Sequence, residues 1–500
     1  MRFGLHPLPW LPAFALLAAC GSPPIGSSLV SPGEPIAGSV RPAGAPVRSA
    51  VPSAPDPLER VATLERAAAE RTAAERAEAE RVAAERAAAE EAARKAEAER
   101  QAAEEAQRRR IAERAARIEE ARRIALEDAA NGVPGVIAAL PARTEFRASA
   151  TLRVGPGHPI RTIAEAARLA KDGDTVEVQA GQYRGEVAVW TQKQLTIKSV
   201  GGRAVLIADG RSAEGKGIWV VRGGDVTIEG FDFVGARVPD GNGAGIRFDS
   251  GRLTVRDARF IGNQVGLLTG NDRTTELTIE RCEFAGPSNG NRHHHNLYVG
   301  AIARLVITGS WLHSARAGHL LKSRARENHV RYNRLTDEGG NGSYELEFPV
   351  GGVAWVVGNL IEQSPRTENA VIVSFGAEGY AWPENRLAMS HNTVVNRRAR
   401  GGTFVRVSPG AAAPLLVNNI WVGSGGFVLP ANAVEVGNRR LRPGAFAAAA
   451  QHDYRVAAPR SLAPVQAPAN VNLRPDAEYS HPRRLRRLDA IPILPGAFQP

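Results

Sequence analysis

Residues that could act as acids, bases or anion ligands are concentrated between His293 and Pro349. Segment 293–300 reads HHHNLYVG, segment 318–324 reads GHLLKSR, and segment 343–349 reads SYELEFP. Lysine, histidine and tyrosine side chains can transfer protons, and the arginine guanidinium binds a carboxylate through two parallel hydrogen bonds. If the protein catalyses a reaction, we expect the reaction to take place in this stretch.

Alignment of the three segments as consecutive strands gives them an expected geometry. The aligned columns are Asn296, His319 and Glu345, then Leu297, Leu320 and Leu346, then Tyr298, Leu321 and Glu347. Because side chains alternate across a strand, the leucine column should face inward and its neighbours outward, forming a polar wall suited to an extended sugar chain. Strict alternation would bury Lys322, which is costly, so we expect the strand to end there and Lys322 to turn outward.

The elements that must position these residues form a repeat. Eight segments with period-2 alternation, which is typical of strands, begin 23 to 33 residues apart. They are Val226–Phe233, Leu253–Phe260, Leu277–Phe284, Leu305–Leu312, Asn328–Leu335, Ala354–Ile361, Leu387–Val394 and Pro414–Trp421. This spacing corresponds to one coil of a solenoid.

The sixth position of the repeat indicates which solenoid is formed. It is occupied by Phe231, Ala258, Cys282, Ser310, Asn333, Asn359, Asn392 and Asn419. In stacked parallel strands equivalent positions lie about 4.8 Å apart, so successive asparagine side chains can hydrogen-bond to one another and to the backbone at a turn. Such an asparagine ladder favours a parallel β-helix over leucine-rich or helical repeats.

The start of the repeat resembles the entry to pectin-lyase-like proteins. A predicted amphipathic helix from Ile160 to Ala170 is followed by the turn Gly173-Asp174-Thr175 and by Gly181-Gln182-Tyr183. The resemblance covers about residues 150–446. It implies an all-β, right-handed parallel β-helix with an N-terminal capping helix, here preceded by a long Ala/Glu/Arg-rich helical stalk.

A second resemblance concerns activity. The run from Lys322 to Asn333 is similar to the Lys-Ser-x-x-Asn run of β-helical lyases of the alginate-lyase and chondroitinase B type. The resemblance implies that Lys322 removes the proton next to a uronate carboxylate, which Arg324 or Arg326 binds. His319 is an alternative base, and Tyr298 is a candidate proton donor to the leaving oxygen.

The remaining site residues are expected to bind substrate or a cation. The acidic residues that bind calcium just before the lysine in that family are absent, so Glu345 and Glu347 are the candidate calcium ligands, and no cofactor is firmly predicted. The candidate substrate-binding residues are His295, Asn296, Arg326, Glu345, Glu347 and Trp382. Trp382 belongs to a predicted loop wall and could stack on a sugar.

The composition changes along the chain predict its domains. Residues 1–19 are typical of an export signal, and the sequence Leu17-Ala18-Ala19-Cys20 resembles the bacterial lipoprotein box, in which Cys20 would carry the lipid. The predicted divisions are the signal 1–19, a disordered tether 20–56, a charged helix 57–131, a linker 132–149, the β-helix 150–446 and a tail 447–500 that wraps the solenoid. The resemblance implies an outer-membrane lipoprotein facing the periplasm or the cell surface, and the helix could support self-association.

Net charge favours an anionic partner. The formal charge is +11 at pH 7, and the sequence carries no nucleic-acid-binding motif, so we expect an acidic polysaccharide. The leading hypothesis is a uronate polysaccharide lyase that acts by β-elimination. The alternatives are a non-catalytic carbohydrate-binding or assembly protein, a hydrolase that uses Glu345 and Glu347 as its carboxylate pair, and a mechanical spacer.

Overall fold

The structure is a computed structural model that describes residues 149–286, 294–367, 369–490, 492 and 494–499, together with positions 73, 80 and 91. The chain divides into two compact units, Met1–Ala139 and Leu140–Pro500. In the first unit, Ala73, Glu80 and Glu91 are helical and exposed. The predicted signal, Cys20, the tether and the rest of the predicted stalk lie outside the described residues. No helix within the described part of the chain is both long and apolar enough to cross a bilayer.

The second unit is a right-handed parallel β-helix with three faces. Face 1 contains β3 (Ala188–Trp190), β9 (Val265–Thr269), β12 (Leu297–Val299), β15 (Leu321–Ser323), β18 (Leu346–Phe348), β21 (Val371–Phe375), β24 (Thr403–Val407) and β27 (Gly426–Val428). Face 2 contains β1 (Thr151–Val154), β10 (Glu276–Glu280), β13 (Arg304–Thr308), β16 (Glu327–Arg331), β19 (Val353–Val357), β22 (Arg386–Ser390), β25 (Leu415–Val417) and β28 (Val434–Val436). Face 3 contains β6 (Phe231–Val234), β8 (Arg259–Ile261), β11 (Glu283–Ala285), β14 (Trp311–His313), β17 (Arg334–Thr336), β20 (Leu360–Gln363), β23 (Thr393–Asn396), β26 (Ile420–Val422) and β29 (Arg439–Leu441).

Four longer strands run through two faces each near the start of the solenoid. They are β2 (Thr175–Arg184), β4 (Gln194–Ile207), β5 (Gly217–Glu229) and β7 (Ala244–Arg256). The strands of each face, up to the last coil, pair in parallel with the equivalent strand of the next coil, as in β10 with β13 and β13 with β16. Residues that are separated by one coil in sequence are therefore neighbours in space.

Inward side chains of successive coils stack on one another. Phe233, Phe260 and Phe284 are buried at equivalent positions, with ring centroids 5.1 and 4.6 Å apart and nearly parallel planes. The alternation that places them inward leaves polar residues such as Arg256 and Glu280 on the outer surface, where they form ion pairs. The predicted all-β solenoid is confirmed.

The asparagine ladder is also confirmed, at the turn between face 2 and face 3. The Nδ2 atoms of Asn333, Asn359 and Asn392 donate to the Oδ1 of the next asparagine at 3.1, 3.0 and 2.9 Å. Asn419 continues the ladder by donating to Asn438 at 3.1 Å. Asn438 was not predicted as a ladder residue, because the last of the eight aligned segments ends at Trp421, yet β29 adds one more strand to face 3.

A short helix covers the first coil. Helix α1 (Ile163–Leu169) begins at the N-cap Thr162, whose side chain accepts a hydrogen bond from the Glu165 N–H, and it buries Ile163 and Ala166 against the core. The Gln192 side chain donates to the Ala167 and Ala170 carbonyls at the helix C-terminus. Because an uncovered first coil would expose apolar core and strand edges, this helix performs the capping role that the sequence predicted.

The chain after β29 packs back along the outer surface of the solenoid. It contains two antiparallel pairs, β30 (Phe446–Ala448) with β31 (Asp453–Val456) and β32 (Ala477–Ser480) with β33 (Arg484–Arg487). Short 3-10 helices occupy Pro443–Ala445, Ala449–Gln451, Pro459–Ser461 and Val471–Leu473. Leu473 and Ala477 pack on Tyr332 and Trp355 of the solenoid, and Tyr332 donates to Asp476 at 2.6 Å.

We predict that Asn359→Ala will lower the free energy of unfolding by about 3 kcal/mol. The Asn359 side chain is fully buried, donates to the Val330 carbonyl and accepts from the Asn333 N–H, so its removal leaves buried polar groups without partners. Urea denaturation followed by circular dichroism measures the change. Asn472→Ala is the matched control, since that side chain is exposed. Equal stability of the two variants would contradict a structural role for the ladder.

Candidate functional site

Face 1 carries a column of polar side chains whose register differs from the expected one. Tyr298 pairs with Lys322, and Lys322 pairs with Glu347. The expected alignment, which placed Leu321 in this column, is wrong by one residue, because Leu321 rather than Leu320 aligns with Leu297. Lys322 does face outward as expected, but it lies in the middle of β15 and not at a strand end.

Lys322 lies between two carboxylates. Its Nζ is 3.2 Å from Glu347 Oε2 and 3.1 Å from Glu378 Oε1. The Lys322 side chain is only 13% exposed, and its Nζ is 5.9 Å from the centroid of the Tyr298 ring. The ammonium group is therefore held at a defined position on the outer surface of face 1.

Arg324 extends the same cluster. Its Nη1 and Nη2 atoms contact Glu378 Oε2 and Oε1 at 2.7 and 3.0 Å, a bidentate pair, and its Nε donates to the Tyr298 hydroxyl at 3.1 Å. Arg324 lies two residues after Lys322, directly after the end of β15, and both side chains reach Glu378. Their cationic groups thus share one partner, the Glu378 carboxylate.

His319 supports the cluster from the neighbouring column. Its Nδ1 accepts a hydrogen bond from the Tyr344 N–H at 3.1 Å, so in the neutral ring the proton is assigned to Nε2, which lies 3.3 Å from Glu347 Oε2. Burial, assisted by the charge of Lys322, lowers the pKa of His319 to about 3. Since neither ring nitrogen then has a free lone pair, this geometry argues against His319 as the base.

His295 positions His319. The two rings stack at 4.6 Å, and His295 Nδ1 accepts from the His319 N–H at 3.0 Å. The strands approach closely here, because a Cβ on Gly318 would lie 1.8 Å from the His294 carbonyl oxygen. His295 is itself buried, and its ring centroid lies 5.2 Å from that of Tyr298 in an edge-on arrangement.

Glu347 is the buried carboxylate of the cluster. Burial raises its pKa, and the charge of Lys322 opposes this effect. Its Oε2 lies within ion-pair distance of Lys322 and His319, although these contacts lack good hydrogen-bond geometry. The Glu378 carboxylate differs from that of Glu347. Burial acts to raise its pKa, but the hydrogen bonds from Arg324 and Lys322 outweigh this effect, so the pKa is lowered.

Glu378 belongs to a loop, residues 376–385, that follows β21 and folds back over earlier coils. Its N–H donates to the Pro349 carbonyl at 2.8 Å, and the Ala381 N–H donates to the Val350 carbonyl at 3.0 Å. Trp382 Nε1 donates to the Arg324 carbonyl at 3.0 Å. The loop thereby brings a carboxylate onto residues two coils earlier in the solenoid.

The expectation that Trp382 stacks on a sugar is wrong. The Trp382 side chain is buried, with 7% of the residue exposed, and the Arg273 guanidinium lies 4.7 Å from its ring centroid. One face of the ring is therefore occupied by Arg273. Trp382 fixes the loop against the backbone that carries Arg324.

Asn296 and Glu345 do not face the polar wall, because both are buried at the corner that precedes face 1. Asn296 Nδ2 donates to the Phe284 and His313 carbonyls at 3.1 and 2.8 Å. Glu345 Oε2 accepts from Gln363 at 3.3 Å, and burial raises its pKa well above the ordinary value, with the neighbouring Asp337 adding to the effect. The substrate-binding roles expected for Asn296 and Glu345 are wrong.

The shared role expected for Glu345 and Glu347 is also wrong. Glu345 faces the buried corner with Asp337 and Gln363, whereas Glu347 faces Lys322 and His319. They therefore neither form one calcium site nor flank one sugar as a hydrolase pair. Across residues 149–499, apart from those the structure leaves undescribed, no three His, Cys, Asp or Glu side chains are grouped to hold a metal ion. Arg326 is exposed at the turn after β15.

The cluster of Tyr298, Lys322, Arg324, Glu347 and Glu378 is thus the candidate site. Four of the five were predicted from the sequence, whereas Glu378 was not predicted as a site residue and lies in the same loop as Trp382. The repeat spacing does indicate an insertion at this place, because the longest spacing, 33 residues from Ala354 to Leu387, contains the loop that carries Glu378. Such an insertion between regular coils is a common place for functional side chains.

The known proteins that this chain resembles are solved structures of low sequence identity. No family model and no curated protein matches the sequence. Among solved structures, the pectate lyase Pel9A is 12% identical, with 71% of this chain and 97% of that chain covered at a TM-score of 0.37. The pectin methylesterase PemA from Erwinia chrysanthemi is also 12% identical, with 60% and 92% covered at 0.30.

A viral protein is similar over a shorter span. ORF18 of Geobacillus virus E2 is 14% identical, with 54% of this chain covered at a TM-score of 0.32. The match spans about half of the viral chain, 53% of its length. At these identities the likeness concerns the fold, which the strand pairing shows directly.

We predict that the free energy of unfolding will rise as the pH falls from 8 to 5. The cause is the protonation of two buried carboxyl groups, those of Asp337 and Glu345. Burial raises the pKa of Asp337 to about 7, and that of Glu345 is raised as well. A carboxyl whose pKa is higher in the folded than in the unfolded state binds its proton more tightly when folded, so its contribution falls as pH rises toward the folded pKa. For Asp337 the change across this range is about 2 kcal/mol.

Urea denaturation of the wild type and of Asp337→Asn at pH 5 and pH 8 measures this contribution. The variant should show a smaller difference between the two pH values, because the amide does not titrate. An unchanged difference in Asp337→Asn, and again in Glu345→Gln, would contradict the assignment of these side chains as the titrating groups.

Proposed function

We propose that the β-helix binds an acidic polysaccharide along face 1 and that the Lys322–Arg324 pair recognises a uronate carboxylate. The observation that carries this proposal is the Glu378 carboxylate, which Arg324 holds with two contacts and Lys322 with a third. A pair of cations that binds one carboxylate in this way has the geometry to bind another. The net charge of +11 supports an anionic partner.

The finer proposal is cleavage by β-elimination. With the carboxylate bound by Arg324, neutral Lys322 Nζ would take the proton from C5 of the uronate. The electron pair forms the C4–C5 double bond, the C4–O4 bond breaks, and the leaving oxygen takes the Tyr298 phenolic proton. The bidentate guanidinium would stabilise the negative charge that develops on the carboxylate.

The position of Tyr298 supports its assigned role. Its hydroxyl is 3.1 Å from Arg324 Nε, and its ring packs on the outer side of β9 against Leu268. It is adjacent to Lys322 in the column of face 1, about one strand spacing away. Base and acid would thus approach the sugar from neighbouring coils, on either side of the C4–C5 bond.

The alternative is binding without cleavage, and a specific observation favours it. Lys322 forms ion pairs with both Glu347 and Glu378, and a charged ammonium group cannot accept a proton. Under this alternative, the Lys322–Arg324 pair would retain an acidic glycan at the cell envelope.

We predict that Lys322→Ala will reduce release of unsaturated product from acidic polysaccharides by about 100-fold or more. A screen of uronate polymers, followed by ultraviolet absorbance of the C4–C5 double bond, measures the product. Lys198→Ala is the matched control, because Lys198 is a face 2 lysine that also pairs with a glutamate. Full product release by Lys322→Ala would refute Lys322 as the base, while glycan binding by the wild type without any product would establish the alternative.

We also propose an envelope location. The sequence from Leu17 to Cys20 supports lipid attachment at Cys20. The β-helix would then be held at the outer membrane, facing the periplasm or the cell surface.

We predict that Cys20→Ala will move the protein from the membrane fraction to the soluble fraction of a bacterial expression host. Without the thiol, no lipid can be attached to this residue. Fractionation with immunodetection and metabolic labelling by a fatty acid measure the change. Cys282→Ala is the control, because Cys282 is buried in the solenoid and should not affect labelling. Labelled Cys20→Ala protein in the membrane fraction would contradict the proposal.

A further inference from the structure

The five-residue cluster of the candidate site contains one member that differs from the rest in exposure. The side chain of Glu378 is 43% exposed, whereas those of Lys322, Arg324 and Glu347 are 13%, 22% and 4% exposed. Glu378 also comes from the loop after β21, whereas the other four lie on strands of face 1 or directly after β15. The side chains of Lys322 and Arg324 are therefore held on face 1, and Glu378, their most exposed partner, contacts them from the loop.

The loop can keep its place when the Glu378 side chain moves. Tyr380 donates to the Ser408 carbonyl at 2.6 Å, Trp382 donates to the Arg324 carbonyl, and Asn385 Oδ1 accepts from the Gly352 N–H at 2.9 Å. None of these contacts involves the Glu378 carboxylate. A change of side-chain rotamer would then expose the cations without rearranging the backbone, and rotamer changes of exposed residues take picoseconds to nanoseconds.

The cations also stay oriented when Glu378 leaves. Tyr298 still accepts from Arg324 Nε, and Glu347 remains beside Lys322. With Glu378 in place, the four charged side chains balance, two positive and two negative. With Glu378 turned away, the wall has one uncompensated positive charge at a place shaped for a carboxylate.

We propose that the Glu378 carboxylate occupies the carboxylate subsite of the unliganded protein and that a uronate binds by displacing it. This inference rests on the proposed function. It adds that Glu378 lowers the affinity of the site for anions that make few other contacts. A single uronate must compete with Glu378, which is held at the subsite by its own loop at a high effective concentration. A polymer that makes further contacts along face 1 would displace Glu378 more readily than a small anion would.

Glu378→Gln tests the inference. The amide keeps the size of the side chain but no longer competes as a carboxylate, so a short oligouronate should bind about fivefold more tightly than it does to the wild type, equivalent to about 1 kcal/mol. Isothermal titration calorimetry with a tetrameric oligogalacturonate, and with sodium acetate as the small probe, measures the affinities.

The matched control is Glu384→Gln, a neighbouring loop carboxylate that is 65% exposed and 3.7 Å from Arg386. Glu384→Gln changes the net charge of the protein by the same amount as Glu378→Gln. Any gain in affinity that it shows therefore measures the effect of net charge alone on anion binding. An equal gain in both glutamine variants, or no gain in Glu378→Gln, would overturn the inference. Adding Arg324→Gln to Glu378→Gln should abolish the gain.

The same titrations separate the inference from the proposed function. If the wild type and Glu378→Gln bind the oligouronate equally tightly, the displacement is refuted while polysaccharide binding stands. If no variant binds the oligouronate but Glu378→Gln gains acetate binding that Arg324→Gln removes, the subsite is supported and the polysaccharide function is refuted. If no variant binds either probe, both are refuted.

Discussion

The structure depends on parallel strands that stack in register from coil to coil. Hydrogen bonds such as Leu321 N–H to Glu345 C=O fix each strand on the next, and the asparagine ladder fixes the corner between face 2 and face 3. Because the spacing between coils is about 4.8 Å, residues one coil apart in sequence become direct neighbours. The contact between Lys322 and Glu347 is a consequence of this stacking and not of local sequence.

The same stacking determines how charge can be accommodated on the outer surface. A column of side chains at this spacing would be unstable if it carried one sign of charge, since adjacent like charges repel. Face 1 avoids this by placing Glu347 beside Lys322 and by bringing Glu378 from a loop to Arg324. The balance is achieved partly by a loop residue, so under the proposed displacement the site is stable without ligand and still accepts an anion.

The repeat made much of the fold predictable. Alternation identified the strands, and the asparagines from Asn333 to Asn419 identified the turn at which they hydrogen-bond. The register at β15 was not predictable, because Leu320 and Leu321 are both apolar and alternation alone does not decide which one faces inward. Both are in fact buried, and the choice of the wrong one moves every side chain of the strand to the opposite face.

Side chains at the corners of the solenoid were harder to predict for a related reason. Asn296 and Glu345 have the alternation of outward residues, yet both lie where the chain turns into face 1 and are buried against the preceding corner. Period-2 alternation predicts which way side chains point along a strand. It does not apply at a turn, where the backbone direction changes. Trp382 was misjudged because its contacts with Arg324 and Arg273 depend on how the loop folds, which the sequence of the repeat does not specify.

The division between a rigid wall and a movable carboxylate explains how a β-helix can acquire a ligand site at little cost in stability. The strands that carry Tyr298, Lys322 and Glu347 are paired on both sides, so their geometry changes little when a ligand binds. Positioning of this kind reduces the entropy lost on binding, because the recognising groups are already ordered. The adjustable part is then a single loop side chain, and substitutions in loop 376–385 could alter affinity without disturbing the coils beneath it.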